Sequence, residues 1–192
     1  MLTNLIPMYL DLFWWMREAL AKLGAGVLIA LLVIGPSPAS AQVEGALGGI
    51  KTVVTKGVEE EDIGQSFLGL VVKQALSASG RHILALPFTY DTESESEGMG
   101  VRYYFDAIPG NGLVPGIGIS GWRLDPDNIE LLETNTTFIG PEILLDFDIP
   151  IDGQSLPATA IIGYYSRVAG DAGVGMLRFG AQLSPDLFGS SE

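Results

Sequence analysis

The chain has 192 residues, 25 glycines, one histidine, no cysteine and a formal net charge of −13. That charge repels phosphate backbones and excludes nucleic acid as a partner, while the lack of cysteine excludes a disulfide scaffold and any thiolate metal site. Mean hydropathy is nonetheless positive, at +0.34, an unusual pairing with so acidic a composition, and the length suits one domain.

In chain order, the first feature is "MREALAKLGAGVLIALLVIGPSPASAQ", Met16 to Gln42. Arg17 and Lys22 form a short charged region, and an apolar run from Leu23 to Ile34 follows. Pro36 and Pro38 then break any helix, and Ala39-Ser40-Ala41 offers the small residues a signal peptidase accepts. The run is shorter than the about 20 residues a spanning helix needs. We therefore expect a helical signal peptide at residues 1–41 and a single β-barrel domain at 42–192. "MLTNLIPMYLDLFWW" upstream is superfluous to such a leader, which gives Met16 as an alternative start. The rival, an uncleaved anchor, is interrupted by Asp11, Arg17 and Glu18.

After Gln42 the dominant period is two. "GVRYYFDA" sets Val101, Tyr103 and Phe105 against Arg102, Tyr104 and Asp106. "GIGISGW" alternates Ile117 and Ile119 with glycine and Ser120. "PEILLDFDIP" puts Ile143, Leu145, Phe147 and Ile149 on one parity and Glu142, Leu144, Asp146 and Asp148 on the other; "GMLRFGAQL" sets Leu177 and Phe179 against Met176 and Arg178. Successive strand side chains point to opposite faces, so each segment has an apolar and a more polar wall. With turns placed between them, eight strands are predicted, at 47–56, 65–77, 80–90, 99–108, 113–124, 132–149, 157–168 and 173–184. A helix from Val58 is the competing reading of "VEEEDIGQSFLGLVVKQAL" and would leave seven.

In an up-and-down meander alternate connections share an end. "SASG", "AIPGNG" and "PIDGQS" fall at one end, almost uncharged, whereas "GVEEEDIG", "DTESESEG" and the connection holding "DPDNIE" fall at the other. Loop acidity thus gathers at a single end.

These features resemble the small outer-membrane β-barrel proteins of Gram-negative bacteria, the opacity-like group, most of all in "MGVRYYFDAIPGNGLVPGIGISGW" and "GVGMLRFGAQL". The fold so implied is all-β, an eight-stranded antiparallel up-and-down barrel in the cell outer membrane, with a structural or surface-interaction role and no catalytic residues or cofactor. Members of that group usually end in an aromatic residue; here the chain runs on through "SPDLFGSSE", with Phe188 nearby. In such a barrel Arg102, Asp106, Glu142, Asp146, Asp148, Arg167 and Arg178 would form a lumen charge network. Val101, Tyr103, Phe105, Ile143, Leu145, Phe147, Leu177 and Phe179 would face outer-membrane lipid. Small residues at Gly116, Gly118, Ser120, Gly163 and Gly180 would leave room for the long side chains. Tyr90, Tyr103, Trp122, Tyr164 and Tyr165 would supply an aromatic girdle, and the barrel would be a monomer. The alternative is a soluble periplasmic or secreted β-barrel that binds a small apolar ligand, with the apolar parity facing its own core.

Reactive chemistry is sparse. His82 is the lone histidine and no G-x-S-x-G occurs, so a lipid-modifying hydrolase would have to use His82 without a nucleophile elbow. Same-parity acids such as Asp146 and Asp148 are equally what a solvated or lumenal strand face produces. The acidic loops, with "DPDNIE" foremost, could meet a divalent cation or an extracellular partner, but the EF-hand glycine and terminal glutamate are missing. "NTT" at Asn135 matches a glycosylation acceptor, which a bacterial leader makes uninformative.

Overall fold

Alternation punctuated by glycine turns gives eight strands in the computed structural model, which describes residues 41–77, 79–91, 95–108, 111–151 and 154–185. The expected leader, all but Ala41, and Phe188 lie outside the described residues. The strands are β1 (Ala41–Lys56), β2 (Glu59–Ala75), β3 (His82–Asp91), β4 (Glu97–Phe105), β5 (Leu113–Leu124), β6 (Thr136–Ile151), β7 (Gln154–Ala169) and β8 (Val174–Leu183). Each pairs antiparallel with its sequence neighbour, and β8 returns to β1, so the sheet closes into a barrel. The all-β, up-and-down reading is therefore the fold observed.

The register fixes the barrel's dimensions. Following paired residues once round the sheet from Lys51 leads through Phe179, Ile162, Ile143, Ile117, Tyr103, Leu84 and Gln74 to Ala41, a stagger of ten residues along β1. Eight strands with that stagger tilt by about 43° and enclose a cylinder of about 8 Å radius. The interior of so narrow a barrel has room for side chains only.

Three local departures from expectation have physical causes. Glu59, Glu60, Glu61 and Asp62, read as a loop or the start of a helix, stand in β2, because the turn is only Gly57–Val58 and Lys56 already faces Glu59. Gly57 has φ +67°, the conformation that the first position of a two-residue type II′ hairpin needs. The sixth strand starts at Thr136 and not at 132, since Asp125 caps a single 3-10 turn at Pro126–Asn128, its carboxylate accepting from the Asp127 N–H at 3.0 Å. Prolines interrupt two ladders: β3–β4 pairing skips from Ala85 to Phe88 around Pro87, and β6–β7 pairing skips from Ile139 to Glu142 around Pro141. A proline has no N–H to give to a neighbouring strand.

The connections after β1, β3, β5 and β7 lie at one end, hereafter the acidic end. The other three lie at the turn end, where β1 begins and β8 stops. Replacing Gly57 by alanine forces an L side chain into the left-handed region and is expected to cost about 1 kcal/mol. Gly64→Ala enters open space at an ordinary φ and should cost nothing. Reversible urea unfolding of the two variants checks the difference.

Candidate functional site

Strand parity sorts the side chains into an inner and an outer set, and the inner set builds a filled lumen in four layers. At the acidic end an apolar cluster is formed by Val54, Trp122, Leu124, Phe138, Tyr165, Val174 and Met176 together with Ile129 and Leu132 of the β5–β6 loop. Beneath it is a polar layer. Arg102, Glu142 and Arg178 are each at most 3% exposed. Arg102 donates from Nε to Glu142 Oε2 at 2.9 Å and from Nη1 to Gln182 Oε1 at 3.1 Å. The Tyr165 hydroxyl donates to Glu142 Oε1 at 2.6 Å. Arg178 donates to Thr52 Oγ1 and Gln65 Oε1, both at 3.0 Å, and its guanidinium stacks 3.3 Å over the Trp122 ring.

The register explains how three long charged side chains fit. Arg102 pairs with Gly118, Gly118 with Glu142, Glu142 with Gly163, and Gly163 with Arg178. One rung of the barrel thus alternates long side chain and glycine. A Cβ on Gly118 would lie 2.9 Å from Arg102 Cγ, and one on Gly163 2.6 Å from the Tyr165 hydroxyl.

A second apolar layer contains Ile50, Phe67, Val71, Tyr104, Leu144 and Ile161. At the turn end Lys73 lies 3.0 Å from Glu44 and 3.5 Å from Asp146, and Asp146 also accepts from the Thr159 hydroxyl. A crevice of about 150 Å³ opens there beside Lys73, Asp146 and Asp148.

Of the seven residues expected in the lumen network, Arg102 and Glu142 pair with each other, Arg178 sits on the same rung, and Asp146 joins Lys73 in a separate cluster. The other three are elsewhere. Asp148 is exposed at the turn end, and Asp106 lies in the turn after β4, its N–H donating to the Arg81 carbonyl. Arg167 is exposed at the acidic end and donates to the Gly170 carbonyl at 2.9 Å. Asp148 and Arg167 share inward parity with the buried set but stand beyond the filled section, where water solvates them. Three expected girdle residues are buried: Tyr90 at 9% exposure and, inside the barrel, Trp122 and Tyr165 at 4% and 1%. The parity of Trp122 and Tyr165, shared with Ser120 and Gly163, was the available signal. Lys73, Thr52 and Gln65 were missed altogether, and Gln182, on the parity of Arg178, was not joined to the network, because strand parity gives no cross-lumen partners.

The outer set is apolar. Val101, Phe105, Ile143, Leu145, Leu177 and Phe179 are exposed, and Tyr103 and Phe147 are half-buried on the same face. Met99, Ile117, Ile119 and Ile162 extend this surface, with Ile117 and Ile143 each 66% exposed. On β6 the outward apolar residues run from Ile139 to Ile149, which at that tilt spans about 24 Å along the barrel axis. Charges mark the upper border. Lys51 pairs with Asp62 at 2.5 Å on the outer face, and Arg123 stands opposite Glu97. His82 lies at the lower border, sharing a 2.6 Å hydrogen bond with the Tyr103 hydroxyl and stacking on Phe105 at 5.0 Å.

The acidic end is a closed cap. Glu61 accepts the backbone N–H groups of Glu130 and Leu131 at 3.1 and 2.9 Å. Asp171 accepts the Glu133 N–H at 2.5 Å and the Thr134 hydroxyl at 2.8 Å. Lys56 donates to Glu133 at 2.8 Å and to the Leu131 carbonyl at 3.3 Å. Among the described residues no three acids or histidines are grouped to hold a metal ion. Glu61, Asp125 and Asp171 instead accept backbone N–H groups.

No protein-family model and no curated protein matches the sequence. Among solved structures, the chain is similar to the crystal structure of Neisserial surface protein A, with TM-score 0.50 and 10% identity over 76% of this chain and 98% of that one. A looser likeness, TM-score 0.35 and 10% identity over 76% and 99%, is to Ail, the attachment invasion locus protein of Yersinia pestis, in complex with the heparin analogue sucrose octasulfate. At 10% identity the likeness to Neisserial surface protein A is one of fold.

Removing one member of a buried ion pair strands the other charge, so Arg102→Met or Glu142→Leu alone is expected to cost about 3–5 kcal/mol, and the double replacement less than either single one. Urea unfolding of the three variants reads this directly. The Glu133 N–H, then the Thr134 hydroxyl, hold the Asp171 carboxyl below its ordinary value. A carboxyl with a depressed folded pKa stabilises fully above its unfolded pKa of about 4, and that contribution is lost as pH falls through the folded value. The Glu133 amide resonance is therefore expected to move only below about pH 4 in the parent, and to lose this titration in Asp171→Asn.

Proposed function

We propose that the protein is an integral outer-membrane β-barrel of a Gram-negative envelope, non-catalytic, with a structural or surface-interaction role and its acidic end facing outward. The observation that carries this reading is the apolar belt. A closed sheet whose outer face is apolar for about 24 Å matches the lipid-exposed band of outer-membrane barrels, about 25 Å tall. Water-soluble monomers rarely expose a contiguous apolar patch beyond a few hundred Å². Closure also pairs the strand backbones around the ring, which the hydrocarbon requires.

The soluble alternative asks the apolar parity to line a core and the interior to keep space for a ligand. The apolar wall of "PEILLDFDIP" instead faces outward, and the lumen is filled by Arg102, Glu142, Arg178 and the clusters above and below them. An even strand number puts the start of β1 and the end of β8 at the turn end, which suits a periplasmic origin, with the loops of the acidic end outside. The fold likeness to a Neisserial surface protein agrees with this placement. His82, the remaining candidate for catalysis, is engaged by Tyr103 and Phe105 at the lower border of the belt, where aromatic rings settle at a membrane interface. A partner at the surface would meet the acidic loops.

Cell fractionation tests the placement. We expect the protein in outer-membrane fractions, with gel migration that changes on boiling; release with the soluble periplasm would refute the reading. Ile143→Lys should cost about 2–4 kcal/mol in bilayers, and Asp148→Lys close to nothing.

A further inference from the structure

The β5–β6 loop closes the barrel mouth in a manner unlike an ordinary surface connection. Ile129 and Leu132 are 1% and 4% exposed and sit in the apolar cluster with Trp122, Phe138, Tyr165 and Met176, which the strands supply. The strands alone leave this cluster open upward. What keeps the loop down, besides those two side chains, is three side chains from three other segments: Lys56 at the end of β1, Glu61 on β2, and Asp171 in the β7–β8 connection.

Glu61 and Asp171 each engage two groups through separate oxygens. Glu61 takes the Glu130 N–H on Oε1 and the Leu131 N–H on Oε2; Asp171 takes the Glu133 N–H on Oδ2 and the Thr134 hydroxyl on Oδ1. Backbone donors held by charged acceptors are the stronger kind of hydrogen bond. They sit at the rim of the barrel and not in the sealed lumen beneath, with Glu61 half-buried and the Asp171 side chain 8% exposed. Below the loop, the ladder and the Arg102–Glu142–Arg178 rung hold the barrel independently of it.

We propose that residues 129–134 form a retractable plug, latched by the carboxylates of Glu61 and Asp171, whose neutralisation lifts the plug from the mouth and uncovers the apolar cup while the barrel stays closed. This device rests on the outward placement of the acidic end only for its exposure to the cell's surroundings; the latch itself is a property of the folded chain. The groups facing the two carboxylates are Lys56, which lies 3.8 Å from Asp171, and Glu133, which pairs with Lys56 at 2.8 Å.

The chain lacks cysteine, so Leu132→Cys provides a single reporter on the full-length protein. Its labelling rate by a maleimide in micelles at neutral pH is compared with and without Glu61→Gln and Asp171→Asn together. A glutamine or asparagine amide turns a donor toward one of the backbone or hydroxyl groups that the second carboxylate oxygen now accepts. Labelling is expected to rise about tenfold or more, with heat-modifiable migration on gels unchanged. An unchanged rate in an intact barrel overturns the proposal and leaves the loop held by its apolar side chains and Lys56, without a carboxylate latch. Should the double variant not form a barrel, each single variant is measured, with a smaller rise expected and no rise in either as the overturning result. Because the readout is made in micelles, it stands or falls apart from the outer-membrane placement.

Discussion

One rung governs the architecture. Arg102, Glu142 and Arg178 point into a cylinder of about 8 Å radius, and they fit only because Gly118 and Gly163 stand between them in the register. No ordinary core would choose this arrangement, since an unpaired charge removed from water costs several kcal/mol. Here the charges are met from neighbouring strands and across the lumen: Glu142 by Arg102 and the Tyr165 hydroxyl, Arg178 by Thr52, Gln65 and the Trp122 face. Once the polar parity is committed to the inside, strand geometry commits the apolar parity to the outside. The belt is the direct consequence of the rung.

From this follows the division of labour along the axis. The middle of the lumen is polar and cross-linked by hydrogen bonds, apolar clusters close it above and below, and each end carries its own charges. At the turn end Lys73 gathers Glu44 and Asp146, and at the acidic end Lys56, Glu61 and Asp171 hold the capping loop. Solvent exposure increases toward both ends, and so does the freedom of the side chains to respond to what surrounds the molecule. The interior explains why the fold persists; on the proposed placement, the acidic end is the part that meets the cell's surroundings.

Much of this was legible in the sequence because a period of two is a strong signal and parity carries across a whole strand. The eight strands, the outward face of Ile143 and Leu145, and the inward face of Arg102, Glu142 and Arg178 all follow from it. Parity says nothing about height, which is why Asp148 and Arg167, correct in face, stand beyond the filled section. Assigning Trp122 and Tyr165 to a girdle gave weight to residue type over parity, and parity was the better guide. The start of β6 was misplaced because Leu131 and Leu132 look like strand residues, although the Asp125-Pro126 cap beside them is a turn signal. The partnership of Lys73 on β2 with Asp146 on β6 depends on closure of the barrel, and the alternation within any one strand does not encode it.

The central claim is that the odd positions of β6 meet hydrocarbon while the even positions from Phe138 to Leu144 meet the filled lumen. A nitroxide scan from Thr137 to Ile149 in reconstituted bilayers tests it, since the absence of cysteine lets each label be introduced singly. The account predicts strict alternation, with Ile139, Ile143, Leu145 and Phe147 relaxed by oxygen dissolved in lipid and shielded from a water-soluble nickel reagent, the even positions from Phe138 to Leu144 shielded from both, and Asp148 reached by the nickel reagent. Odd positions reached by the nickel reagent, or accessibility without a period of two, would contradict it.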